Sequence, residues 1–162
     1  MSRPFKRARG GAAVGRVARP IDKELKFVNQ TATTSVTSTT LKTTTFPGTV
    51  VGMRWSLAAQ SATSADSVLA WAVVVIPDGE AANTPAISDG ADFYTPEQNV
   101  MAFGVMRLVG NGETGGNMNV MFEGTTKTMR KLKQGDVLAC ITLSDVANGV
   151  FLDGVIQFFF KT

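Results

Sequence analysis

The sequence predicts an all-β protein, an antiparallel sandwich or barrel of about eight strands. Three observations predict it. Short apolar and β-branched runs are separated by turn signals rich in Gly, Pro, Asn and Asp. The clearest of these runs alternate with a period of two, and no strong 3.6-residue pattern occurs. Apolar residues make up 44% of the 162 and charged residues only 18%, a balance that suits one packed core.

Residues 1–20, MSRPFKRARGGAAVGRVARP, stand apart from this texture. They hold Arg3, Lys6, Arg7, Arg9, Arg16 and Arg19 with no acid and a single aromatic, Phe5. The segment therefore carries +6 and, against a total of +3, the rest of the chain carries −3. Like charges repel, and little apolar surface is available to offset ordering entropy, so an extended arm is expected. The β texture begins at Ile21.

Residues 31–49 contain ten threonines, punctuated by Val36, Leu41 and Phe46. Threonine's β-branch suits a pleated, half-exposed surface, which favours strands here over a glycosylated stalk. Pro47-Gly48 marks a turn, and residues 49–57 read as the next strand. Residues 56–70, rich in Ala and Ser, are the one place where a short helix is expected as an option. The nine-residue run 68–76 is apolar on both faces and belongs in the middle of a sheet. It ends at Pro77-Asp78-Gly79 and opens a long loop, roughly 78–98, interrupted by Pro85 and Pro96. Loops of that length in a domain usually serve a surface or an interface. Strands are expected again at 99–109, 117–126 and 137–143, with Gln134-Gly135-Asp136 turning into the last of these. The closing strand is the clearest. Val150, Leu152, Ile156, Phe158 and Phe160 share one parity, and Asp153, Gln157 and Lys161 share the other.

The composition points away from catalysis. There is no histidine, which removes His-dependent triads, His metal sites and His-based pH switches. The lone cysteine, Cys140, lies mid-strand without a base and reads as core; it also fits a reducing compartment. Gly110, Gly112 and Gly115 have the spacing of a dinucleotide fingerprint, but no helix pattern follows them, so they read as a turn. Asp89, Asp92 and Glu97 could offer oxygens to a hard cation but lack EF-hand spacing, and a solvated loop is the simpler reading. No cofactor and no metal is expected. The longest apolar run is too short for a membrane span, and no apolar h-region follows the basic start, so neither membrane insertion nor secretion is expected. Asn29-Gln30-Thr31 is then a glycosylation sequon by letter alone.

Two basic features remain. The arm residues Arg3, Lys6, Arg7, Arg9, Arg16 and Arg19 can neutralise phosphates without demanding any base sequence. Within them Lys6, Arg7 and Arg9 also have the form of a nuclear import signal. Lys127, Arg130, Lys131 and Lys133 form either a charge-protected edge strand or a second phosphate-contact patch.

A basic arm before an eight-stranded β domain without a catalytic constellation resembles the capsid proteins of small viruses. The stretch 128–136 (TMRKLKQGD), the apolar strand 137–143 and the closing strand 149–162 carry a more specific likeness. They resemble the coat proteins of small circular single-stranded DNA viruses that encode a replication initiator, the circovirus-like and nanovirus-like group. The resemblance implies a single jelly roll over residues 21–162, two four-stranded sheets with the core between them, preceded by the arm 1–20. It also implies self-assembly into a 60-subunit, T=1 icosahedral shell around a single-stranded DNA genome, in the virion and, during assembly, in the host nucleus. Phe93 and Tyr94, aromatic rings in the long loop, are expected either as subunit-interface anchors or as caps of the subunit's own core. The rival expectation is a soluble jelly-roll binding module, a lectin-like or cytokine-like trimer, which has no use for residues 1–20.

Overall fold

A computed structural model describes residues 20–61, 65–80, 99–109, 119–146 and 149–161. They form eight strands: β1 (Ile21–Ala32), β2 (Thr37–Thr43), β3 (Gly48–Ser61), β4 (Ser67–Ile76), β5 (Val100–Leu108), β6 (Asn119–Leu132), β7 (Val137–Ser144) and β8 (Val150–Lys161). All pairings are antiparallel, in two four-stranded sheets ordered β1-β8-β3-β6 and β2-β7-β4-β5. Successive strands repeatedly change sheet, the connectivity of a jelly-roll-like sandwich.

Alternation along each strand places the core between the sheets. In β8, Val150, Leu152, Ile156, Phe158 and Phe160 point inward and are buried, with Asp153 and Lys161 exposed on the other side. β3 aims Met53, Leu57, Ala59 and Ser61 inward, after a register shift between Val50 and Gly52 changes the parity. Across the sandwich they meet Leu69, Trp71, Val73 and Val75 of β4 and Leu138 and Cys140 of β7. Burial pushes the Cys140 thiol up to about 12, so it stays protonated and acts as a small apolar group.

β4 lies inside its sheet between β7 and β5, as its two apolar faces require. Its outward residues Ala72, Val74 and Ile76 are buried together with Ala139 and Ile141 of β7. One expectation fails. The Ala/Ser-rich stretch 56–70 holds no helix among the described residues, because β3 continues to Ser61 and β4 starts at Ser67. Ala59 and Ser61 are fully buried on the inward parity, so small residues serve packing here and override alanine's helical preference.

The end of the sandwich where β6 turns into β7 is closely knit. Gly135 adopts φ +91°, and a Cβ there would stand 2.4 Å from Cγ of Asp78, so the turn needs glycine on both counts. The Asp136 carboxylate accepts from the backbone N–H of Lys133 at 2.7 Å and of Asp78 at 3.3 Å. Thr44, in the β2–β3 connection, donates its N–H to the Asp136 carbonyl and accepts from the Gly135 N–H. Three connections are thereby fastened at one end.

Candidate nucleic-acid interface

Each strand of the β1-β8-β3-β6 sheet turns alternate residues away from the core, and the register aligns them in rows. Ile21, Lys161, Thr49 and Lys131 form the first row. Lys23, Phe159, Gly52 and Lys127 form the second, and Leu25, Gln157, Arg54 and Thr125 the third. Lys23, Arg54, Lys127, Lys131 and Lys161 are all exposed, and none of them forms an ion pair among the described residues. Acids enter only further along this face, with Glu123 in the fourth row and Asp153 in the fifth.

One end of the face is therefore a field of cations without a carboxylate among them. Neighbouring strands lie about 4.8 Å apart and same-face residues about 7 Å apart along a strand. Within a row the cations stand two or three strands apart, about 10 to 14 Å, where they repel one another only weakly in water and together attract a polyanion.

The sequence-predicted basic run divides. Lys127 and Lys131 stand on this face, and Lys133 is exposed just past the end of β6. Arg130 has the opposite parity, is half-buried and donates from Nη2 to Oδ1 of Asn99, next to β5. It helps hold the two sheets together at that side of the sandwich. Arg3, Lys6, Arg7, Arg9, Arg16 and Arg19 lie outside the described residues, as do Phe93 and Tyr94 and the Asp89, Asp92 and Glu97 cluster. Among the described residues no group of His, Cys, Asp and Glu side chains is placed to hold a metal ion. No helix among them is long and apolar enough to cross a membrane.

Sequence reasoning missed Lys23, Arg54 and Lys161. Each is a single charge in its own strand, and only the sheet order, in which chain-distant β1, β8, β3 and β6 become neighbours, gathers them beside Lys127 and Lys131. The arm adjoins the same place: Pro20 leads directly into Ile21, whose row contains Lys161 and Lys131.

A cleft of about 260 Å³ opens at this end, between the start of β1 and the β2–β3 connection. Its charged lining is compensated. Glu24 bonds Lys26 at 2.7 Å and also pairs with Lys42, whose Nζ stands 4.6 Å from the centre of the Phe160 ring. Burial alone would raise the Glu24 carboxyl; hydrogen bonds and charge from the two lysines outweigh it and hold it below the usual glutamate value.

No known protein-family model matches the chain. A search of curated proteins likewise finds none similar to it.

Proposed function

We propose that the protein is a viral capsid subunit that assembles into a small icosahedral shell and packages single-stranded DNA. The observation that carries this reading is that the described chain begins, after a +6 segment, at the same end of the sheet where the exposed cations gather. The +6 arm joins β1 in the row that holds Lys161 and Lys131, beside Lys23, Lys127 and Arg54. Both features can meet phosphates irrespective of base sequence, which is what packaging a whole genome requires.

Two further features support it. The jelly-roll-like sandwich is an architecture found in viral capsid domains, and in lectins as well. Exposed apolar groups stand on edge strand β5, where Phe103 and Val105 point off the outer face of the sheet opposite the cationic one. Contiguous apolar groups of this kind are costly in water and suit repeated contacts between identical subunits.

The test is expression of the full chain followed by electron microscopy and nucleic-acid analysis. Uniform closed particles containing single-stranded nucleic acid are expected. Discrete nucleic-acid-free trimers would overturn the reading in favour of a soluble binding module.

A further inference from the structure

We infer that the cleft between the start of β1 and the β2–β3 connection takes one unstacked base of a single-stranded nucleic acid whose phosphates lie on the neighbouring lysines. The inference rests on the nucleic-acid-binding reading above and assigns that surface a second, uncharged recognition element.

Four observations carry it. First, the cleft's volume of about 260 Å³ is ample for one nucleobase and small for a folded partner. Second, Phe46 lines the cleft yet is 81% exposed, and an aromatic ring left in water at a cleft mouth is a stacking platform without its stack. Third, Thr44 also lines the cleft, is only 5% exposed, and its Oγ1 has no hydrogen-bond partner among the described residues. Its backbone is fixed through Asp136 and Gly135, so the hydroxyl is held in the wall, and a buried hydroxyl without a partner is costly. Fourth, the charges inside the cleft offset one another, with Asp22 and Glu24 against Lys23 and Lys42, whereas Lys131 and Lys161, one residue beyond the lining groups Leu132 and Phe160, stand on the cationic face.

The fourth point separates the possible occupants. A phosphate would find as many carboxylates as ammonium groups in the cleft and has better sites outside it. A base is neutral, has a π-face for Phe46 and polar edges for Thr44, and leaves its own phosphate where the lysines are. A single strand lying on the face can thus turn one base inward without moving its backbone off the cations. Because every base has a π-face, such a site tolerates any sequence.

The test compares binding of two single-stranded DNA oligonucleotides of equal length, one normal and one fully abasic, to the full-length chain and to two variants. Phe46→Ala is expected to weaken the normal oligonucleotide about tenfold and leave the abasic one unchanged, as expected for loss of one stacked base at a surface residue. Thr44→Val, which keeps the shape of the side chain, is expected to weaken the normal oligonucleotide by about two- to tenfold. Neither change alters the salt dependence, because neither touches a phosphate. Equal binding of both oligonucleotides by the wild-type chain, or a Phe46→Ala protein that binds the normal one undiminished, overturns the base cleft. In both cases salt-dependent binding remains, so the parent reading stands. Absence of salt-dependent binding in the wild-type chain overturns both. A single deoxynucleotide binding as tightly as the oligonucleotide would overturn the strand and leave a nucleotide site.

Discussion

Trp55 of β3 and Trp71 of β4 meet edge to face across the sandwich, their ring centroids 5.4 Å apart and their planes at 62°. Each ring needs a glycine on a neighbouring strand: a Cβ on Gly124 would stand 2.2 Å from Trp55, and one on Gly104 would stand 2.6 Å from Trp71. Phe122 packs on Trp71 at 5.5 Å, so aromatic contacts join strands of both sheets.

This arrangement predicts where the fold is most sensitive. Trp71 is almost fully buried, and Trp71→Ala should cost about 3 to 5 kcal/mol. Gly124→Ala adds a single methyl group but forces Trp55 off its position, and should cost about 1 to 3 kcal/mol. Urea unfolding of both variants checks the pair. A Gly124→Ala chain as stable as wild type would mean that the Trp55 ring is free to shift.

Much of this architecture was legible in the chain. The parity of β8 identified its buried face, and the two-sided apolar run of β4 identified a central strand. The Pro77-Asp78-Gly79 and Gln134-Gly135-Asp136 signals do mark strand ends, each with a glycine at positive φ. The missing information was non-local. Nothing near Arg54 in sequence says that Lys127 and Lys161 lie on the strands beside it, because pairing is set by which apolar faces fit across the whole domain. The strand expected at 117–126 continues to Leu132, and β6 is an edge strand carrying Lys127 and Lys131, as one reading of the basic run expects. Its alternation continues through Thr128, Arg130 and Leu132, but a polar residue half-buried at a sheet edge gives no apolar signal in the sequence.

Glu24 yields a prediction with a defined sign. Its folded pKa lies below the unfolded value, so the unfolded chain takes up the proton first as the pH falls. The stabilisation from Lys26 and Lys42 is therefore present above the ordinary glutamate value and lost as the pH drops through the folded one. Part of the acid-side decline in stability, at most about 1 kcal/mol for so accessible a pair, should disappear in Glu24→Gln. Urea midpoints measured from about pH 6 down to pH 3 test this. An unchanged slope would show that the two ion pairs contribute nothing net.

Cys140 offers a chemical readout of the core. It is fully buried, and its thiol is pushed up to about 12, so neither access nor thiolate is available in the native state. A thiol reagent at pH 8 should modify the native protein only as fast as it opens, and modify the urea-unfolded chain at once. Rapid labelling without denaturant would mean that the β4–β7 centre of the sheet opens locally.

The arm and the sheet face are separable through salt. If both contact phosphates, removing residues 1–19 leaves a chain that still binds single-stranded DNA, since Lys23, Arg54, Lys127, Lys131 and Lys161 remain. Each phosphate contact contributes about −0.7 to the slope of log affinity against log salt, so the five cations, all engaged, would leave a residual slope of about −3.5. Adding Arg54→Ala, Lys127→Ala and Lys131→Ala to the truncated chain should bring the slope to about −1.4, the share of Lys23 and Lys161. All three side chains are exposed, so the sandwich itself should stay folded, which circular dichroism would verify. Titrations between about 50 and 200 mM salt measure both slopes. A truncated chain with no salt-dependent binding would place all of the phosphate contact in the arm. A triple variant that keeps the truncated chain's slope would remove the sheet face from the interface, and with it the coincidence on which the packaging proposal rests.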